Sequence, residues 1–158
     1  MRSAIEAQAS PHIAAGRLML AGTIPNDQMA SQYQNSDIFL LTSEFEGLPV
    51  SLLEAMGHGC VPIITRVESG VSEVVQSGTN GELVAVGDID AFVEVIARLQ
   101  QNPDQQREMA RKAHRTLAAG GFSLPRMVDR YEELFEEMMH ESSSGRYERP
   151  APYLGELW

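Results

Sequence analysis

A layered α/β fold with a mostly parallel sheet is predicted by three features of this sequence. Ile38–Leu41 and Val61–Thr65 are almost continuously apolar runs of strand length, as expected of strands covered on both faces. Segments with apolar residues at helical spacing alternate with these runs along the chain. Glycine, proline and capping residues stand at the junctions between them. Alternation of this kind lays helices over both faces of one sheet.

Each element can be read in order. Arg2 to Ala9 reads as a helix broken by Ser10 and Pro11. Leu18 to Ala21 reads as a strand ending at Gly22. Asp27 to Asn35 reads as a helix capped by Asn26 or Asp27. After the strand Ile38–Leu41, Pro49 to Met56 reads as a helix with proline at its first position and Gly57 near its end. The strand Val61–Thr65 is followed by a short helix from Val71 to Gln76, stopped by Ser77 and Gly78, and by a short strand from Glu82 to Val86. Asp88 caps a long helix that carries Ala91, Phe92, Val95, Ile96 and Leu99 at helical spacing. Asp104 to Leu117 forms a second, more charged helix, which Gly120 and Gly121 end. Ser123 caps a last helix running through His140. Residues 1–141 thus make one domain, and residues 142–158 a linker (Ser142 to Gly145) and a tail.

Composition narrows the function. The chain has 158 residues and a net charge of −10, which argues against a nucleic-acid partner. No apolar run is long enough for an integral membrane segment. The single cysteine, Cys60, has no partner for an internal disulfide and points to a reducing, cytoplasmic setting. Lys112 is the one lysine, so an anionic ligand has to be met by a helix N-terminus or by a few arginines.

In a parallel sheet, ligands bind beyond the carboxyl ends of the strands. The loop after Leu41, which runs from Thr42 to Leu48 into the helix at Pro49, is therefore the place to look for chemistry. The first amides of that helix, on Val50, Ser51 and Leu52, have no intrahelical acceptor and with the helix dipole make an anion site that needs no lysine. Gly47 lets the backbone come close to a ligand. Glu46 precedes the helix and Glu54 lies roughly 7 Å along its axis. Two carboxylates flanking a phosphate site suit a ligand with hydroxyls on both sides of a diphosphate.

Glu46 and Glu54, set in SEFEGLPVSLLEAMGHGCVPIIT, resemble the E-x7-E signature of the family 4 (group 1) retaining glycosyltransferases of the GT-B fold. LAGTIPNDQMASQYQNSDIFLLTS, SGVSEVVQSGTNGELVAVGDIDAF and FSLPRMVDRYEELF resemble that family's flanking stretches in the same order, from Arg17 to Phe135. The resemblance implies a Rossmann-like three-layer α/β/α domain, the C-terminal donor-binding half of a GT-B enzyme. It implies a hexosyl transfer from a nucleoside-diphosphate sugar with retention and without a metal or other cofactor, in polysaccharide or glycoconjugate synthesis. Glu46 would contact the donor sugar as the catalytic residue. Gly47, Leu48 and Pro49 would approach the sugar, Val50 and Ser51 the diphosphate, and Glu54 the ribose, with Thr23 and Ile24 near the base. Same-face displacement with electrostatic stabilisation of the leaving diphosphate and double displacement by a carboxylate both remain open. An N-terminal acceptor-binding domain is the expected partner. The family's N-terminal half and the arginine and lysine that clamp the diphosphate have no counterpart in these residues, so the chain by itself is expected to be inactive. In the full enzyme the domain is expected in the cytoplasm, peripheral to the membrane. The rival reading is a non-catalytic nucleotide- or protein-binding module.

Other residues invite chemical readings that simpler ones outweigh. Asp88-Ile89-Asp90 looks like a metal-binding D-x-D, yet its place before an amphipathic helix predicts a cap and a first-turn acid. Glu73 divides evenly between a helix-start role and a ligand contact. His58 is expected to pack or to lie at the surface, Cys60 to pack, and Met109, Met127, Met138 and Met139 to fill the core. The acidic run Glu132 to Glu141 reads as a solvated helix face.

Overall fold

The computed structural model describes residues 2–143, and its sheet has three parallel strands: β1 (Ile38–Leu41), β2 (Val61–Thr65) and β3 (Glu82–Val84), in that spatial order. Ile38 pairs with Val61 and Leu41 with Ile64, while Ile63 pairs with Glu82 and Thr65 with Val84. Every residue of β2 is buried, as a central parallel strand requires.

Alternation along the strands sorts the core into two layers. On one face Phe39, Leu41 and Ile64 pack with Leu52 and Met56 of α3 (Val50–Gly57) and with Val71 and Val74 of α4 (Val71–Val74). On the other, Ile38, Val61 and Ile63 pack with Phe92 and Leu99 of α5 (Ile89–Gln101). The longer α6 (Pro103–Ala119) reaches both layers, giving Ala113 to the first and Met109 to the second. The arrangement is the expected α/β/α sandwich.

Asp88 caps α5 as predicted, its carboxylate accepting from the Ala91 amide at 3.0 Å. Asn80, 2% exposed, ties the loop before β3 to two neighbours. Its amide donates to the Val74 carbonyl and the Thr116 hydroxyl, and its oxygen accepts from the Gln76 amide. The next residue, Gly81, leaves no room for a side chain. A Cβ there would lie 2.6 Å from Pro62 Cγ and 2.7 Å from the Pro62 carbonyl oxygen. Gly81→Ala is therefore expected to cost about 2 kcal/mol by overpacking, read as a lower urea midpoint with an unchanged slope.

Several expectations need correction. The first helix, α1 (Arg2–Ala14), runs through Pro11, because an exposed helix loses only one hydrogen bond at proline and the Pro11 carbonyl still accepts from Ala15. Leu18 to Ala21 is not a strand: among the described residues β1 pairs only with β2 and no strand lies beside Leu18 to Ala21, and Met19 is 75% exposed. Helix α2 (Asn26–Gln34) has Pro25 at its cap position, with no side-chain cap from Asn26 or Asp27. The helix after β2 stops at Val74 and β3 at Val84. The last helix, α7 (Leu124–Ser143), includes Ser142 and Ser143, which were expected in the linker; the remainder of the linker and the tail lies outside the described residues. Only Met109 among the four predicted core methionines is buried. Met127, Met138 and Met139 lie exposed on α7, which makes at most sparse contact with the other described elements.

Candidate functional site

The loop of residues 42–49 leaves the carboxyl end of β1 and turns into α3. Pro49 occupies the cap position rather than the first turn, with extended backbone (φ −65°, ψ 125°) and no side chain capping the helix. The Leu52 amide bonds back to the Pro49 carbonyl at 3.1 Å, so it is not free as expected. The Val50 and Ser51 amides have no acceptor among the described residues, and Val50 is 67% exposed. Two outward donors thus remain at the positive end of the α3 dipole.

Gly47 is exposed, and a Cβ there would meet nothing within 4 Å, so its backbone faces open space. Leu48 closes the opposite side of the loop against Gly70, whose Cβ position lies 3.2 Å from Leu48 Cβ. The loops after β1 and β2 therefore support one another. Glu46 is partly exposed beside Gly47, while Glu54, half-buried, sits on the second turn of α3 facing α2. Thr23, exposed, and Ile24, half-buried, lie in the loop that opens α2, after Gly22 in the left-handed conformation (φ 69°).

Sequence reading passed over the residue that connects these parts. Tyr33 on α2 is 6% exposed and donates its hydroxyl to Glu54 Oε2 at 3.2 Å. Burial first, and then the hydrogen bond and charge of Glu54, push its pKa up, so it remains a donor across the neutral range. Its ring meets Phe39 edge-on and stacks at 5.9 Å on His58, which is exposed and packs at the surface. The Cys60 thiol, fully buried, donates to the carbonyls of Tyr33 and Ser36, and burial followed by the nearby Asp37 charge raises its pKa. The contact between Tyr33 and Glu54 spans 21 residues, and the one sequence signal for it was an aromatic at the end of a polar helix.

Concavities lie elsewhere among the described residues, and two of them sit at the two ends of the sheet. One of about 330 Å³ is lined by Thr42, Glu44, Thr65, Asp88 and Phe92 at the carboxyl ends of the strands. The other, about 460 Å³, lies at the opposite end of the sheet beside His58, Arg111, His114 and Arg115. Neither includes Glu46 or Glu54. The start of α3 is open to solvent at Val50 and Gly47, and what it offers a ligand is its backbone donors and the carboxylates beside them. Asp88 is committed to its helix cap, and no three His, Cys, Asp or Glu residues gather in metal-binding geometry among the described residues. Glu73 is exposed in the short α4, away from any side-chain partner there. No helix among the described residues is long and apolar enough to cross a membrane.

Comparison with known proteins follows the same ground. A family model described as glycosyl transferases group 1 matches residues 1–116. N-acetyl-alpha-D-glucosaminyl L-malate synthase of Bacillus anthracis is 32% identical over 120 residues, covering 76% of this chain and 31% of that protein. The UDP-Gal:alpha-D-GlcNAc-diphosphoundecaprenol alpha-1,3-galactosyltransferase of Escherichia coli is 31% identical over 126 residues, covering 78% of this chain and 30% of that protein. The chain spans about a third of the length of these relatives. Among solved structures, the sucrose-phosphate synthase of Thermosynechococcus elongatus superposes with a TM-score of 0.78 at 22% identity, over 88% of this chain and 34% of that one, a likeness of fold.

Proposed function

This chain belongs to the group 1 glycosyl transferases, and from that footing we propose that it is the donor-binding domain of a metal-independent, retaining glycosyltransferase that draws its sugar from a nucleoside diphosphate. The observation that carries the reading is the start of α3, where the unbonded Val50 and Ser51 amides stand between two carboxylates, Glu46 before the helix and Glu54 within it. A diphosphate on those amides puts ribose hydroxyls toward Glu54 and the sugar toward Glu46, Gly47, Leu48 and Pro49, with the base toward Thr23 and Ile24. Amide donors and the helix dipole are preorganised for charge that grows on the leaving diphosphate as the glycosidic bond breaks. Glu46 accepts hydrogen bonds from donor-sugar hydroxyls and so fixes the sugar over that leaving group. The relative from Escherichia coli is named for UDP-Gal, which makes UDP-sugars the first donors to test. An acceptor-binding domain completes the enzyme, in the cytoplasm, where the lone thiol Cys60 stays reduced.

The test is ligand-observed NMR of the 158-residue chain against UDP-, GDP- and ADP-sugars, with NAD as a comparison. Saturation transfer to one sugar-nucleotide class, in preference to NAD, is expected, and it names the base. A folded chain that contacts none of them would leave a nucleotide-independent, protein-binding module in place of the enzyme.

A further inference from the structure

Tyr33 is built into the fold more firmly than a packing residue needs to be. Its ring is held edge-on by Phe39 (centroids 6.3 Å apart) and face-on by His58, and its backbone carbonyl accepts the Cys60 thiol at 3.3 Å. Three elements thus fix the phenol: α2, β1 and the turn between α3 and β2. The hydroxyl that this packing places is aimed at one oxygen of a half-buried carboxylate, Glu54 Oε2. A carboxylate offers about four lone-pair sites. A rigid donor on one of them restricts rotation of the group about its Cγ–Cδ bond and leaves the other sites open to a ligand.

We propose that Tyr33 is the positioning residue for Glu54, its phenol orienting the carboxylate so that the free lone pairs meet the vicinal hydroxyls of a ribose, and that this pair makes the chain distinguish ribonucleotides from deoxyribonucleotides. The role rests on Glu54 binding ribose, as proposed above. It also links the two halves of the nucleoside site. The loop holding Thr23 and Ile24 leads directly into α2, and α2 reaches Glu54 through Tyr33, so base and ribose contacts are held in one register.

The experiment measures binding of UDP, GDP and ADP, each beside its 2′-deoxy counterpart, to the wild-type chain, Tyr33→Phe, Glu54→Gln and the double variant. Wild type is expected to prefer the ribo form about tenfold. Tyr33→Phe keeps the ring and its packing; it is expected to weaken the ribo form three- to tenfold and leave the deoxy form unchanged. In the Glu54→Gln background the same change is expected to have no further effect, because the two residues act as one unit. A purely structural tyrosine would weaken both nucleotide forms alike and add to Glu54→Gln, and either result overturns the proposal. If Glu54→Gln removes the ribo preference while Tyr33→Phe retains it, the positioning role falls and the reading of Glu54 stands. If Glu54→Gln leaves the preference untouched, or if wild type binds none of the six, the reading of Glu54 falls and takes the role of Tyr33 with it. One further readout needs no variant. In the wild-type chain the Tyr33 ζ-carbon resonance is expected to shift when the bound nucleotide changes from deoxy to ribo form, and an identical resonance in both counts against the proposal.

Discussion

Glu54→Ala is expected to lower the affinity of this chain for its nucleotide-sugar by roughly a hundredfold, about 3 kcal/mol. A hydrogen bond to a charged group contributes about 1.5–3 kcal/mol, and a ribose diol held by Glu54 as proposed would make two that share one carboxylate. Truncation also leaves the buried Tyr33 hydroxyl without its acceptor, which adds a desolvation cost in the site itself. The fold is expected to survive, since Glu54 is only half-buried and α3 is anchored by Leu52, Ala55 and Met56. Isothermal titration with the preferred donor checks the loss, with Glu73→Ala, exposed on α4, as a control expected to match wild type. Equal affinity in Glu54→Ala and wild type would remove the ribose from this position.

Leu52→Ala is expected to destabilise the chain by about 3 kcal/mol. Leu52 is fully buried on the first turn of α3 and packs among Met56, Ile64, Val67, Val71, Val74 and Val75, residues of three elements and of the two connections flanking α4. A cavity there cannot collapse easily, because β2 behind it is buried along its whole length. The change is two residues from Glu54 on the same short helix, so donor affinity should fall along with stability. Urea unfolding followed by far-UV circular dichroism gives the loss. Leu134→Ala on α7, where the leucine is 47% exposed, is expected to change stability by less than about 0.5 kcal/mol. Similar losses at both positions would mean that α7 belongs to the core.

What could be read from the sequence is what local chemistry decides. Ile38–Leu41 and Val61–Thr65 are short apolar runs of strand length bounded by turn residues, and Asp88 caps α5 because a short acid before an amphipathic helix has an amide within reach. The loop carrying Glu46 and the helix carrying Glu54 follow from the same strand-loop-helix order. Other features depend on neighbours that no local pattern reveals. Leu18 to Ala21 has the composition of a strand, but a strand exists only through a ladder, and β1 gives its one pairing to β2. Pro49 stands one position outside its predicted place, which takes the Leu52 amide out of the anion site. The pairing of Tyr33 with Glu54 and the bonds of Asn80 to Thr116 join residues far apart in sequence, and only the packed layers bring them together. Met127 and Met138 have helical spacing, which marks an apolar face without saying what lies against it.

That face has a consequence for how the molecule breathes. Along α7, Leu124, Val128, Tyr131, Leu134, Phe135 and Met138 form one apolar stripe, all exposed, and neither α7 nor α1 makes more than sparse contact with the sheet and its covering helices. A helix held mainly by its own hydrogen bonds opens with a free energy set by propensity and length, not by the core. Amide hydrogens of β2, α3 and α5 should therefore exchange with solvent only when the whole domain unfolds, while those of α7 should exchange through local opening at rates that Leu52→Ala leaves unchanged. The polypeptide thus has two levels of protection, and whatever comes to lie against the α7 stripe would transfer that helix from the lower level to the upper.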